Sequence, residues 1–256
     1  MTSSVGRGPR GELVQSSESE MARNELFQQY ARDFSARDDF TWNSNAHLLL
    51  KRQVISRILY YDRIYQQLLG TPGVICEFGV QWGASMALLA NLRGIYEPFN
   101  HSRRIIGFDT FSGFATVRPE DGALVSEGEY AVSDSYEDTL ADLMTLHESF
   151  APIPHMQKFE IVKGDASATV HEWLEANPHA IIGMAILDMD VYQPTKDVLL
   201  AIKERLTKGS ILVFDELNHS LFPGETVAVA ETIGLGNLRL QHDPHQPNCA
   251  WAVYGE

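Results

Sequence analysis

Apolar residues change their spacing near residue 70 of this chain. Over residues 46–69 they recur every three or four positions, which predicts one amphipathic helix. Residues 70–73 contain two glycines and a proline, so the helix is expected to end there. A weaker helical spacing over residues 21–40 predicts short helices, whereas residues 1–20 lack periodicity. We therefore divide the chain into a disordered tail (1–20), an N-terminal helical segment (21–70) and a main domain (71–256).

The main domain alternates short apolar runs with longer amphipathic runs. This alternation predicts right-handed strand–helix–strand units and a mainly parallel sheet that is covered by helices on both faces. The last two apolar runs have no long helix between them, so we expect an antiparallel hairpin at one edge. Ligands of such doubly wound sheets bind beyond the carboxyl ends of the strands. The predicted strands are 74–79, 104–109, 159–165, 181–188, 210–215, 238–242 and 249–254, and the predicted helices are 84–92, 136–150, 168–175, 194–206 and 226–233.

Composition and charge narrow the classes of function. The 256 residues include 20 basic and 34 acidic side chains, which gives a formal net charge of −14. Proteins that bind nucleic acids need basic residues to neutralise phosphates, so DNA or RNA is not expected as a partner. No apolar run is long enough to cross a bilayer, and we expect no secretory signal at the N-terminus. Two cysteines, Cys76 and Cys249, cannot build a disulfide scaffold, so a cytoplasmic location is expected.

The first predicted strand ends in a glycine turn that suits a small-molecule cofactor. Gly79 permits a tight turn, and Gly83 would let a ligand approach the backbone where the next helix begins. The turn lacks the lysine of a phosphate-binding loop, and Glu77 beside it favours a cationic ligand. Asp109, which ends the second strand, is placed to accept both hydroxyls of a ribose. Asp165, after the third strand, suits an adenine amino group.

Four carboxylates follow the fourth and fifth predicted strands. Asp188 and Asp190 come after one strand, and Asp215 and Glu216 come after the next. Neighbouring strands lie about 4.8 Å apart, so these side chains are expected to converge at one edge of the sheet. Crowded like charges cost free energy unless a cation binds among them, and oxygen ligands suit Mg²⁺ or Ca²⁺. The sequence therefore predicts a divalent-cation site.

Three segments resemble the macrocin O-methyltransferase (TylF-like) family. They are residues 77–83 (EFGVQWG), 109–114 (DTFSGF) and 188–195 (DMDVYQPT), and the similarity extends over residues 46–256. Members of this family use S-adenosylmethionine (SAM) and Mg²⁺ to methylate sugar hydroxyls of natural products. Residues 52–61 resemble the branch of the family that acts on 6-deoxyhexoses.

The resemblance implies the fold and the roles of the site residues. The implied fold is the α/β class I methyltransferase (Rossmann-like) type, a doubly wound, mainly parallel seven-stranded sheet with N-terminal helices and the strand order 3-2-1-4-5-7-6. Asp188, Asp215 and Glu216 are the implied ligands of Mg²⁺ or another divalent cation, although the family has aspartate at position 216. Asp190 is the expected general base, and it could exchange roles with Asp188 if both share one face of an extended strand. The expected SAM contacts are Glu77, Gly79, Val80, Gly83, Ser85, Asp109, Thr110, Asp165 and Ala166.

These inferences predict a SAM-dependent and metal-dependent O-methyltransferase. Its substrate is expected to be a deoxysugar hydroxyl, on a nucleotide sugar or on a glycosylated secondary metabolite such as an antibiotic. We expect a homo-oligomer in which residues 110–135 move over the site. Two alternatives stay open, a catechol or phenolic O-methyltransferase and a non-catalytic nucleotide-sugar-binding module. His219 is a second candidate for the base.

Overall fold

Two units make up this chain, and the larger one contains the predicted sheet. The computed structural model describes residues 5–7, 13–15 and 17–256, and the chain divides into units 1–57 and 58–256. The boundary lies inside a helix rather than after residue 70. This position has a physical reason, because the C-terminal half of that helix buries Tyr61, Ile64 and Leu68 in the core of the larger unit.

The N-terminal unit contains short elements. Strands β1 (Val5–Arg7) and β2 (Leu13–Gln15) pair antiparallel, and helix α1 (Glu18–Ser35) follows. These residues include the described part of the tail that was expected to be disordered, and the rest of that tail lies outside the described residues. The N–H of Ser17 donates to the Glu20 carboxylate at 2.9 Å and so caps α1. No residue of α1 is buried.

The single helix predicted over residues 46–69 is interrupted. Helix α2 (Trp42–Asn45) and a 3-10 helix (Ala46–Leu49) come first, and α3 (Arg52–Leu68) begins three residues after them. Leu50 adopts an extended conformation with φ −96° and ψ 121°, which ends the 3-10 helix. The apolar spacing runs through this break, so periodicity alone did not reveal it.

Every strand and helix predicted for residues 71–256 has a counterpart in the structure, with ends that differ by up to a few residues. The elements are β3 (Val74–Phe78), α4 (Ala84–Tyr96), β4 (Ile105–Asp109), α5 (Tyr136–Ser149), β5 (Phe159–Lys163), α6 (Ala166–Ala176), β6 (Ile182–Leu187), α7 (Tyr192–Ile202), β7 (Leu206–Phe214), α8 (Pro223–Thr232), β8 (Gln241–Asp243) and β9 (Gln246–Val253).

The sheet has the order β5-β4-β3-β6-β7-β9-β8. Strands β3 to β7 are parallel, whereas β9 runs antiparallel to both β7 and β8. Counted from β3, this is the order 3-2-1-4-5-7-6, so the predicted fold class and the edge hairpin are confirmed. Among the described residues, no helix has the length and apolar character needed to cross a membrane.

Both faces of the sheet are buried under helices. Along β3, Ile75 belongs to a core with α3, α4 and α5, whereas Cys76 and Phe78 belong to a core with α6, α7 and α8. Alternate residues of a strand point to opposite faces, which explains this division. Polar side chains needed for chemistry are therefore concentrated where the strands end.

Candidate active site

The carboxyl ends of four parallel strands place predicted site residues in one row. Near the ends of these strands, four buried apolar residues lie side by side in the sheet register, namely Phe108, Phe78, Leu187 and Phe214. The next residues of the chain are, in the same order, Asp109, Gly79, Asp188 and Asp215. The register thus brings together candidate cofactor and cation residues that are distant in sequence.

Close backbone contacts require both glycines of the turn after β3. Gly79 has φ +92°, and a Cβ at this position would lie 1.8 Å from the carbonyl oxygen of Asp188. Gly83 has φ +74°, and a Cβ there would lie 2.3 Å from Cδ1 of Leu140 in α5. Leu140 thus fills the place that a side chain at position 83 would need, and the expected approach of a ligand to the Gly83 backbone stays a prediction. Helix packing accounts for the glycine at position 83.

Asp109 holds the glycine turn closed. Its Oδ2 accepts the N–H groups of Val80 and Gln81, both at 2.7 Å, and its Oδ1 accepts the N–H of Phe111 at 2.5 Å. A carboxylate has about four acceptor positions, so one stays open while the turn keeps this form. The structure thus leaves room for one ribose hydroxyl on Asp109, where we expected two.

The other residues predicted to contact SAM lie along the same strand ends. Asp165 precedes α6 and its Oδ1 accepts the N–H of Ser167 at 2.9 Å, so it also caps that helix. The hydroxyl of Thr110 donates to the Gly113 carbonyl at 2.7 Å. The remaining predicted contacts are all buried, namely Glu77, Val80, Ser85 and Ala166.

A sharp turn places Asp190. This residue has φ 61°, in the left-handed region, and the N–H of Val191 donates to the Met189 carbonyl at 2.6 Å. A non-glycine residue in this region costs about 1–2 kcal/mol. Strand β6 ends at Leu187, so Asp188 and Asp190 do not share a strand face, and the expected exchange of their roles loses its basis.

Side chains from β9 and from the loop before α8 lie beside Asp215 and Glu216. The Cys249 thiol of β9 donates to Oδ1 of Asp215 at 3.1 Å. Oε2 of Glu216 lies 3.3 Å from Nδ1 of His219, and the His219 ring stacks on Phe222 with 5.4 Å between centroids. Burial lowers the pKa of His219, which favours the neutral imidazole.

The sequence reading missed Glu225, which belongs to the first turn of α8. The side chain is fully buried, and its Oε1 accepts the N–H of Glu216 at 3.2 Å. Burial raises the pKa of Glu225 well above its usual range, and the charges of Asp215, Asp190 and Asp188 add to this effect. We predicted that this helix begins at residue 226, so the prediction left Glu225 outside it. The sequence does offer a signal for this residue, because Glu225 follows Pro223 and Gly224 at the start of an otherwise mostly apolar helix.

Residues 110–135 contact the same edge of the sheet. The buried carboxylate of Asp121 accepts the N–H of Tyr192 at 2.5 Å and the N–H of Arg118 at 2.7 Å. Position 224 must be glycine there, because a Cβ would lie 2.0 Å from Oδ1 of Asp121. Tyr130 in this segment packs against Phe222 at 6.3 Å between centroids. The segment therefore reaches the beginnings of both α7 and α8.

The donor set suits a hard cation, although its side chains are not arranged around one. In the part of the chain that the structure describes, no three His, Cys, Asp or Glu side chains form a group that could hold a metal ion. Carboxylate oxygens are nevertheless the ligands that Mg²⁺ and Ca²⁺ prefer. Oε2 of Glu225 is buried and has no hydrogen-bond partner among the described residues. The residue types are those that bind a divalent cation, but in the part of the chain that the structure describes they do not form a cation site.

The sheet order, the glycine turn after β3 and the acid after β4 define a class I methyltransferase, the class that takes its methyl group from SAM. No family model matches the chain, and no curated protein matches it significantly. A crystal structure of CalS11, a calicheamicin methyltransferase, is 37% identical with a TM-score of 0.88 and full coverage of both chains. The chain belongs to the same family of sugar O-methyltransferases.

Two further structures are similar to this chain. The apo structure of CalS11, described as a TDP-rhamnose 3'-O-methyltransferase, is 36% identical with a TM-score of 0.82 and covers 95% of this chain and 97% of its own. The O-methyltransferase NovP is 16% identical with a TM-score of 0.57 and covers 78% of this chain and 79% of its own. NovP supports the fold alone.

Proposed function

We propose that this chain transfers the methyl group of SAM to a ring hydroxyl of a nucleotide-linked 6-deoxyhexose in the biosynthesis of a glycosylated antibiotic. The observation that carries the proposal is the 37% identity over the whole length of CalS11. The CalS11 substrate, TDP-rhamnose, is the model for the substrate class.

The strand ends from β3 to β5 are the proposed SAM site. Asp109 would accept one ribose hydroxyl through its open acceptor position, and Asp165 would accept the adenine amino group. Glu77 would favour the positive end of the cofactor, which carries the sulfonium and amino groups. The other proposed contacts are Gly79, Val80, Gly83, Ser85, Thr110 and Ala166.

A divalent cation, Mg²⁺ or a similar ion, is part of the proposal. Asp188, Asp215 and Glu216 are the ligands that the family resemblance implies. When bound, such an ion lowers the pKa of a coordinated hydroxyl and orients its oxygen.

Asp190 would take the proton of the sugar hydroxyl. As the oxygen–carbon bond forms, the carbon–sulfur bond of SAM breaks, and the proton passes to the Asp190 carboxylate. The products are a methyl ether and S-adenosylhomocysteine (SAH). The turn at residues 189–191 separates Asp190 from Asp188, which supports different roles for the two acids in this proposal, Asp190 as the base and Asp188 as a ligand of the cation.

Turnover with defined acceptors tests this function. The purified protein is incubated with SAM and, separately, TDP-rhamnose, free rhamnose or catechol, and SAH and methyl ethers are measured by mass spectrometry. We expect a methyl ether of TDP-rhamnose. Methylation of catechol alone would favour the phenolic alternative, and binding of TDP-rhamnose without methylation would favour the binding module.

Three expectations from the sequence stay predictions. They are the homo-oligomeric state, the cytoplasmic location and the absence of nucleic-acid or membrane partners.

A further inference from the structure

Asp121 is a buried carboxylate that the proposed mechanism does not use. Its side chain is fully buried in residues 110–135. Its Oδ1 accepts the N–H of Tyr192 at 2.5 Å, and its Oδ2 accepts the N–H of Arg118 at 2.7 Å. A buried carboxylate is unfavourable unless its oxygens are hydrogen-bonded, and here each oxygen accepts a main-chain N–H group. Asp121 therefore links two distant segments of main chain.

This link ends beside the proposed base. Tyr192 is the first residue of α7, and Asp190 lies two residues before it, in the turn where the N–H of Val191 donates to the Met189 carbonyl at 2.6 Å. Asp190 has φ 61°, and such a conformation persists only where the surrounding structure holds it. The hydrogen bond from Tyr192 to Asp121 holds the C-terminal end of this turn.

Helix α8 packs directly on the same hydrogen bond. A Cβ at position 224 would lie 2.0 Å from Asp121 Oδ1 and 2.7 Å from the Tyr192 nitrogen. The Tyr192 hydroxyl also donates to Glu231 of α8 at 2.6 Å. Asp121 itself belongs to the 3-10 turn of the segment that we expect to close over bound ligands. The segment 110–135, α7 and α8 therefore meet at Asp121.

We propose that Asp121 is a positioning residue for the methyl transfer, because its carboxylate joins residues 110–135 to the start of α7 and so sets the place of Asp190. The inference rests on the proposed function, in which Asp190 takes the proton of the sugar hydroxyl. In this role Asp121 acts through Asp190 and needs no contact with the substrate. Aspartate suits the position because two N–H groups need one acceptor oxygen each, whereas asparagine has a single acceptor oxygen.

Steady-state kinetics of Asp121→Asn tests this role. One of the two N–H groups then faces an amide NH₂ group instead of an acceptor, so the link between the two segments breaks. We expect kcat to fall by about 10- to 100-fold because the base is displaced, while KM and the affinity for SAH stay near the wild-type values.

Asp243→Asn is the matched control. Asp243 is also buried and also accepts a main-chain N–H, from His245 at 2.8 Å, but it lies on the edge strand β8. Both variants are expected to unfold at a lower denaturant concentration than the wild type, and only Asp121→Asn should lose kcat.

A double variant separates positioning of the base from a general loss of stability. If Asp121 acts through Asp190, Asp121→Asn should add at most about a twofold loss of kcat to that of Asp190→Asn. Losses that multiply in the double variant would overturn the proposal, and so would a wild-type kcat in Asp121→Asn alone.

Hydrogen exchange measured by mass spectrometry tests the link without turnover. In Asp121→Asn, exchange should become faster in residues 118–122 or 188–192, whereas Asp243→Asn should leave both segments unchanged. Unchanged exchange in both segments of Asp121→Asn would contradict the proposal, and methylation of TDP-rhamnose by the wild type judges the proposed function separately. If Asp121→Asn does not fold, as judged by circular dichroism, Gly224→Ala replaces it in each measurement, and a wild-type kcat in that variant would also overturn the proposal.

Discussion

Asp190 occupies a backbone conformation that few residues other than glycine adopt, in the turn that follows β6. Asparagine tolerates this conformation and has nearly the same shape, so Asp190→Asn removes the basic oxygen with little change in structure. We expect kcat to fall by about 10²–10⁴, the usual contribution of a positioned base. Steady-state kinetics measures this loss, and calorimetry should show unchanged SAH affinity. If the variant were fully active, His219 would be the next candidate for the general base.

Asp109 serves both the turn and the cofactor. In Asp109→Asn one oxygen becomes an amide group that cannot accept, so the variant loses hydrogen bonds to the turn at Val80 and Gln81 or at Phe111. Each such bond to a charged group contributes about 1.5–3 kcal/mol. We expect SAH affinity to fall by about 10- to 100-fold in calorimetry.

Asp165→Asn is the comparison for this variant. Asparagine caps a helix as well as aspartate does, so α6 should keep its stability. The Asp165→Asn substitution would therefore change only the proposed contact between residue 165 and the cofactor. If Asp109→Asn bound SAH as tightly as the wild type, neither the contact of Asp109 with the cofactor nor its hold on the turn would contribute to cofactor binding.

The site residues that the sequence predicts lie at strand ends, whereas the residues that it misses are buried by contacts between distant elements. Asp109, Asp188 and Asp215 directly follow apolar strands, so the pattern of the chain locates them. Glu225 and Asp121 are buried only because α8 and residues 119–121 pack on other elements, and this packing is not visible in local periodicity.

Three elements meet where α7 and α8 begin. Gly224→Ala would bring a Cβ within 2.0 Å of Asp121 Oδ1 and 2.7 Å of the Tyr192 nitrogen. The Tyr192 N–H then loses its acceptor, and Asp190, two residues earlier, shifts with it. We expect a loss of about 1–3 kcal/mol in the free energy of unfolding and a lower kcat. Denaturant titration and kinetics measure the two effects.

Gly236→Ala provides the control for this substitution. A Cβ at position 236 would meet no atom within 4 Å, so stability and kcat should stay as in the wild type. A stable and fully active Gly224→Ala would show that the contact does not position Asp190.

Residues 110–135 contain no helix longer than the 3-10 turn Pro119–Asp121, and we expect them to close over bound ligands. Hydrogen exchange measured by mass spectrometry should show slower exchange in this segment when SAH and TDP-rhamnose are both present. Exchange in β6 serves as the internal reference, because that strand is buried throughout. Equal exchange with and without ligands would contradict the expected movement.

At the scale of the whole molecule, the alternation of strands and helices was enough to predict a doubly wound sheet. It was not enough to give the order of the strands, which depends on pairings between distant segments. The family resemblance supplied that order. Both sources missed the break at Leu50, because an extended residue does not disturb apolar spacing.

The N-terminal unit motivates the prediction of a homo-oligomer. Leu26 and Tyr30 are one helical turn apart on α1, and each is 54% exposed. A partner copy that covers such residues would contribute the hydrophobic stabilisation they lack. Sedimentation equilibrium should show a dimer or larger species, and Leu26→Glu with Tyr30→Glu should shift it toward the monomer. A wild-type monomer at all concentrations would disprove the prediction.

The contact between Gly79 and the Asp188 carbonyl has a thermodynamic consequence. The main chain of the turn proposed to hold the cofactor lies so close to the Asp188 carbonyl that no Cβ fits between them, so we expect a shift of one to be felt by the other. If SAM or the cation shifts one of them, the two ligands change each other's affinity. Thermodynamic linkage then requires that SAM changes the affinity for the cation by the same factor by which the cation changes the affinity for SAM.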